Sequence, residues 1–287
     1  MSFSFFCLLT LALFSVSSTS LVIKYLPDVP ALTMAFWRMF FAGVMLWVYS
    51  LFKPTTPLNK KSLNRVGIAG VFLGLHFACF FWGVRNTSIA NATLLANTGP
   101  LFTVGLTFLL YRTVSKQTLL PLFVAFAGVL LIQGGEFGIS SNYFLGNAVS
   151  LFSALCIAIV YIIAKQVRKE NNTVAYGRAL FLFASVTIGI VCLIMSVSIF
   201  SFEKEHVFWF LFLGLVPSIL GHNTLNYAVK YLSPTAVASI PLGEPVIASV
   251  FGLVLLSEAI PTSSMQGAPF IFFGVYFIIK NSKNDAV

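Results

Sequence analysis

Ten long apolar runs, separated by short polar stretches, account for nearly the whole of this 287-residue chain. They lie at about 3–23, 31–52, 66–84, 89–111, 118–134, 144–164, 175–200, 207–228, 235–257 and 265–280. None shows the alternation over about ten residues that marks a barrel strand. Backbone polar groups inside hydrocarbon must find partners within their own segment, so these runs are expected to be transmembrane helices. The fifth and tenth hold about 16 residues, roughly 24 Å of helix against a core of about 30 Å. They count as spans because each closes its half of the chain in the same way. The longest connection, 53–65, carries Pro54, Pro57 and four basic residues and suits a tether at the membrane surface.

The runs repeat. TMAFWR (Thr33 to Arg38) returns 140 residues later as TVAYGR (Thr173 to Arg178). At an offset of 145, Trp82, Val84, Arg85, Ser88 and Pro100 pair with Tyr227, Val229, Lys230, Ser233 and Pro245. Both correspondences respect the order of the runs, as in transporter folds built from internal repeats. The expected fold class is an all-α polytopic membrane protein of ten transmembrane helices. They form two five-helix repeats, residues 1–136 (spans one to five) and 137–287 (spans six to ten), around a central cavity. Five spans per half send the first helix of one half and the first of the other in opposite directions, so the repeats are expected to be inverted. A pseudo-twofold axis then lies in the membrane plane, with the site near mid-depth where the halves meet.

Composition agrees: 58 % of residues are hydrophobic, 9 % are charged and 31 are phenylalanines. That is more apolar surface than one soluble core can hide. A net charge of +9 raises the question of nucleic acid, but the basic residues sit in short loops without an aromatic-interleaved patch, which speaks against a nucleic-acid partner. Their distribution is a topology signal. With the amino terminus cytoplasmic, Lys53, Lys60, Lys61, Arg65, Arg112, Lys116, Lys165, Arg168, Lys169, Lys230, Lys280 and Lys283 fall inside, and only Lys24, Arg85 and Lys204 outside. The acids Asp28, Glu136, Glu203, Glu205 and Glu258 fall outside as well. Both termini are therefore expected on the cytoplasmic side of the inner (plasma) membrane. The first span lacks a basic n-region, so Ser17, Ser18 and Ser20 are not expected to mark a cleaved signal. Cys7, Cys79, Cys156 and Cys192 lie inside apolar runs without metal-ligand spacing and read as small buried hydrophobes.

An ionised side chain in mid-membrane costs at least about 2.5–3.5 kcal/mol, so each is a functional candidate by default. Arg38 lies about seven residues inside one end of the second span, and Arg178 near the opposite face in the seventh. Each either snorkels to headgroups or sets a fixed positive charge at a mouth of the pathway. Glu244 is sharper, because Gly243, Glu244 and Pro245 interrupt the ninth span near mid-depth. Asn97, Thr98, Gly99 and Pro100 interrupt the fourth at the matching place. Such paired breaks point to a transporter site. Glu244 is either a proton carrier or a structural carboxyl bonded to freed backbone groups. His76 and His222, one residue out of register between the halves, are candidates to bind substrate, relay protons or brace a neighbouring helix. Asn223, Asn226 and Tyr227 continue the polar stripe after His222. Trp37, Phe80, Trp82 and Tyr161 are candidates for aromatic walls, with lipid contact or packing as the alternative. Gly70 and Gly74 form a GxxxG that marks close helix packing.

These strings resemble the EamA branch of the drug/metabolite transporter superfamily over essentially the whole chain. GLHFACFFWGVRNTSIANATLL is similar to the family's HF, TS and ANAT pattern. GHNTLNYAVKYLSPTAVASIPLGEPVIAS is similar to its GH, N, A, KY and LGEP stretch, Glu258 matches the acidic residue after span nine, and Arg38 matches an arginine in span two. Asn86 and Thr87 depart from it, since many relatives carry an aromatic there. The resemblance implies a ten-helix basket with spans five and ten at its periphery, and membership of a group that exports amino acids, other metabolites or toxic compounds, or imports metabolites.

The expected function is therefore secondary transport of a small amino acid-like or amphipathic metabolite by alternating access, with export as the direction. The alternative is an importer or exchanger for a nucleotide-like or methyl-donor substrate. His76, Phe80, Asn97, Tyr161, His222, Asn223 and Glu244 are the expected substrate-binding residues, and Arg38, Arg178, Pro100 and Pro245 the gating or electrostatic ones. No cofactor or metal is expected. The partners are the substrate, the bilayer and, if a titratable group couples, protons; a homodimer is left open. A membrane enzyme would need a constellation such as HExxH, GxSxG or paired intramembrane aspartates, and a channel would need rings of charge or a carbonyl filter. Neither pattern is present in the sequence.

Overall fold

A computed structural model describes residues 3–112, 115–134, 141–256 and 259–282. Glu136, Glu258, Lys283, Asp285 and the repeat boundary at 136/137 lie outside the described residues. Among the described residues, ten helices are long and apolar enough to cross a membrane. They are α1 (Phe3–Ile23), α2 (Ala31–Phe52), α3 (Lys60–Asn86), α4 (Ile89–Tyr111), α5 (Lys116–Gln133), α6 (Phe144–Arg168), α7 (Thr173–Ile194), α8 (His206–Ala228), α9 (Pro234–Val254) and α10 (Thr262–Asn281).

The departures from the expected limits have local causes. α3 starts at Lys60 because Asn59 caps it, its side chain accepting from the Ser62 amide at 2.8 Å, which cuts the tether to 53–59. α7 stops at Ile194, six residues early. Ser196 adopts a left-handed φ of 54°, and the Val197 and Ser196 amides donate back to the carbonyls of Cys192 and Leu193, closing the helix as a Schellman motif. The fifth and tenth spans are the shortest of the ten, as expected, but run a little beyond the expected limits. α5 has 18 residues and α10 has 20, because Lys116, Gln117 and Thr262 to Ser264 continue the helices beyond the apolar stretch.

The packing runs mostly between the halves of the chain: α5 on α10, α3 on α6 and α7, α2 on α7, and α1 on α8. α3 is the most enclosed, with 61 % of its apolar window buried, whereas only 33 % is buried in α5 and in α10. The last helix of each half is therefore peripheral; the two pack chiefly on each other and otherwise rest on α4 and α9. Rows of large apolar side chains remain exposed, among them Phe123, Leu193, Phe272 and Phe273, as expected where the solvent is lipid.

Small residues set the closest approaches. Gly70 lies against Phe183 and the Leu180 carbonyl, and Gly74 against the Ala184 carbonyl and Thr187, so the GxxxG is the seat of α7 on α3. Between α5 and α10 the backbones themselves touch: a Cβ on Gly128 would meet the Gly267 carbonyl oxygen at 2.6 Å, and one on Gly267 the Gly128 oxygen at 2.5 Å. Neither backbone can yield cheaply. Gly128→Ala and Gly267→Ala are each expected to cost about 1–3 kcal/mol, read as a lower melting temperature in detergent. An unchanged melting temperature for both would contradict this contact.

Candidate functional site

Among the described residues, three helices lose regular α geometry halfway along. α4 is helical over Ile89–Ala96 and again over Gly99–Tyr111, with Asn97 and Thr98 between. In α9 the segment Pro234–Ser239 gives way to a 3₁₀ turn, Ile240–Gly243, and Glu244 opens the following helix. Pro100 and Pro245 therefore sit in a first helical turn, where a missing amide proton costs little. Glu244 stands at a helix N-terminus, where the peptide dipoles favour a negative charge. In α8 the residues Gly214–Asn223 wind as a π-helix around Pro217, a wide turn found frequently at functional sites. The Ser218 hydroxyl there donates to the carbonyl five residues back, Leu213, at 2.8 Å.

Arg38 is drawn into this loosened region. It is wholly buried, which excludes snorkelling. Its Nε donates to Ser218 Oγ at 2.8 Å and its Nη1 to Thr19 Oγ1 at 3.2 Å. Its Cζ lies 4.2 Å from the centre of the Phe77 ring, a cation–π distance. One side chain on α2 thus binds α1, α3 and α8. Its Nη2 is buried without a partner.

Around it lies a cavity with about 640 Å³ of unfilled space counted to its open mouth. Both halves of the chain line it. Arg38, His76, Phe80, Asn97, Pro100, Tyr161, His222 and Glu244 all border it, as do Thr19, Ser20, Phe77, Ile157 and Pro241. His76 Nδ1 donates to the Ser153 carbonyl at 2.9 Å; a carbonyl only accepts, so this nitrogen carries the proton. The His76 ring stacks over Phe80 and lies 6.4 Å from that of His222, centre to centre. The expected loss of register between the two histidines does not separate them. Arg38 and Glu244 interact electrostatically without a direct ion pair, and Glu244 accepts no hydrogen bond from a described residue. Asn97 Nδ2 and the Tyr161 hydroxyl are also buried and unpartnered.

Other expected site residues lie elsewhere. Asn223 is buried against Gly177 of α7, and Pro245 does not border the cavity. Arg178 is half-buried and donates to Ser50 Oγ at 2.7 Å between α7 and α2. Trp37 donates to the Ile199 carbonyl at 2.7 Å inside a cluster with Phe40, Phe41, Phe202 and Phe210. Trp82 does not border the cavity either. Thr19, Ser20, Phe77 and Ser218 were missed, and the hydroxyl run SVSSTS in α1 was the signal for the first two. Two cations counted as loop charges also have structural tasks. Arg85 donates to the carbonyls of Ile23, Leu26, Pro27 and Val29 where α1 ends. Arg168, almost fully buried, donates to the carbonyls of Asn226 and Asn171 and to Thr173 Oγ1.

The family model described as "EamA-like transporter family" matches residues 3–134 and 144–280. An uncharacterized transporter of Archaeoglobus fulgidus is 24 % identical over 244 residues, 85 % of each chain. The pseudopaline exporter CntI of Pseudomonas aeruginosa (strain UCBPP-PA14) is 25 % identical over 236 residues, 80 % of each chain. A solved crystal structure covers 99 % of both chains at a TM-score of 0.79 with 15 % identity, a likeness of fold alone.

Proposed function

Because this chain belongs to the EamA-like transporter family, a multi-pass membrane protein with ten spanning helices, we propose that it is a secondary transporter moving a small amino acid-like or amphipathic metabolite by alternating access. The observation that carries this reading is the cavity lined by both halves of the chain. It lies where helices of both halves lose regular geometry, and an arginine, a glutamate and two histidines border it. Ionisable groups at such depth persist where they serve a pathway.

Residues 1–136 and 137–287 are read as inverted repeats, which supplies two states of similar energy, one open to each face. The change of access is assigned to the broken α4 and α9 and the π turn of α8, where regular helix geometry is already lost. Export is the proposed direction, supported by the likeness to an exporter in Pseudomonas aeruginosa. The excess of Lys and Arg in one set of loops supports an inner-membrane location with both termini cytoplasmic. Import or exchange of a nucleotide-like or methyl-donor substrate is the second reading; the free Nη2 of Arg38, which suits an anionic group, favours it.

Counterflow in proteoliposomes tests the proposal. Vesicles preloaded with one metabolite of a panel of amino acids, nucleotides and organic cations are expected to accumulate the labelled compound saturably. Unitary currents in a planar bilayer, or no counterflow with any compound, would count against a transporter.

A further inference from the structure

The unpaired polar atoms do not stop at the cavity wall. The Tyr176 hydroxyl of α7 and the side-chain oxygens of Asn223 and Asn226 of α8 are buried without a hydrogen-bond partner, and none of these residues borders the cavity. Tyr161 does border it, with its own hydroxyl unpaired, and interacts electrostatically with Tyr176. Tyr176 interacts in turn with Arg168, which stands about two turns along α6 from Tyr161. A row of unpaired atoms thus leads from the cavity to the place where α6 and α8 end. Buried polar atoms are nearly always paired, and leaving them unpaired is costly. The row is accounted for if water or solute meets it in another state.

Arg168 shuts this row at its far end. Almost fully buried as the last residue of α6, it donates through Nε to the Asn226 carbonyl at 3.3 Å, and through its other nitrogens to the Asn171 carbonyl and Thr173 Oγ1. One side chain therefore ties the end of α8, just past its π turn, to the turn between α6 and α7. All three acceptors are neutral oxygens, which water can satisfy once the helices part. On the transporter reading above, we propose that Arg168 is the latch on the closed leg of the pathway, and that Tyr161, Tyr176, Asn223 and Asn226 line this leg once it opens. Arg168 is a positioning residue: it holds α8 and does not border the cavity.

Sided thiol labelling tests the latch. The full-length protein carries Cys7→Ser, Cys79→Ala, Cys156→Ala and Cys192→Ala, with Ala238→Cys as its thiol in the cavity wall. A charged methanethiosulfonate that cannot cross the bilayer is added to one face of the vesicles at a time. Arg168→Met keeps the bulk and loses the donors. Labelling from the face where α6 ends is expected to quicken at least about tenfold, the worth of a hydrogen bond from a charged donor, with no rise from the other face. Arg85→Met removes an arginine from the end of α3, on the opposite face three spans earlier, and should leave labelling from the α6 face unchanged. An Arg168→Met rate within about threefold of the parent, an equal rise from both faces, or the same rise in Arg85→Met overturns the proposal. If Arg168→Met does not fold, Thr173→Val, which removes one acceptor, is judged by the same criterion. Tyr176→Phe deletes only a hydroxyl that bonds nothing, so a packing role predicts unchanged counterflow. A place on the pathway predicts counterflow slowed severalfold at a melting temperature no lower than the parent's, and parent-like counterflow overturns that place. A parent without counterflow of any compound overturns the transporter reading, and the labelling still decides the latch. Counterflow with labelling indifferent to Arg168 overturns the latch alone.

Discussion

Arg38→Met is expected to lower counterflow to less than about a hundredth of the parent rate, a loss of roughly 3 kcal/mol or more at about 1.4 kcal/mol per tenfold. Methionine keeps most of the buried volume, so α2 still packs, but the charge that Phe77, Ser218 and Thr19 hold in place is gone. Glu244 then faces the cavity without the positive charge it interacts with, and an unpaired charge out of water is costly. Arg38→Lys should recover only part of the rate. An ammonium keeps the charge but lacks the planar fork that reaches Ser218 and Thr19 at once while lying over a ring. Initial counterflow rates at matched protein, with size-exclusion profiles as the control for folding, check this. An Arg38→Met variant that transports at half the parent rate or better would remove Arg38 from the site.

The second large effect is expected at Glu244. Glutamine there has the same shape and no charge, and it leaves Arg38 as a lone cation beside two histidines. Counterflow should fall at least about tenfold. The pH dependence of flux separates the two roles open to this carboxyl. If Glu244 carries a proton during the cycle, flux in the parent varies with pH and flux in Glu244→Gln does not. If Glu244 only holds substrate, the variant is slower with a profile of the same shape. Transport unchanged in both size and pH dependence would exclude the carboxylate from binding and from coupling.

What could be read in advance divides along physical lines. The spans were legible because hydrocarbon tolerates few charges and demands long apolar helices; the limits of α2 and α4 agree to the residue. The breaks in α4 and α9 were legible because Pro, Gly and a buried polar residue at mid-depth are each costly and occurred together, at matching places. From these, most of the cavity followed: His76, Phe80, Asn97, Tyr161, His222 and Glu244 do border it. Asn223 did not: one residue after His222, it faces another side of the helix and packs on Gly177 instead. Thr19 and Ser20 escaped notice because a hydroxyl in a membrane helix can satisfy itself on its own backbone. Ser17 does so on the Leu13 carbonyl and Ser18 on that of Ser15.

Arg38 is the residue on which the two sources of information differ most. Its position about seven residues from the end of a span is compatible with a side chain stretched toward headgroups and equally with one turned inward, since the long flexible stem spans either distance. Only the arrival of α1, α3 and α8, with a hydroxyl from Thr19, another from Ser218 and the face of Phe77, turns it inward. The order of apolar and polar residues by itself determined ten spans, the doubling and the place of the breaks, because these depend on the cost of exposing backbone and charge to lipid one segment at a time. Which side chains meet, which keep an unused hydrogen-bonding atom and which cation is enclosed were decided only by tertiary structure, because they depend on contacts between helices far apart in the chain.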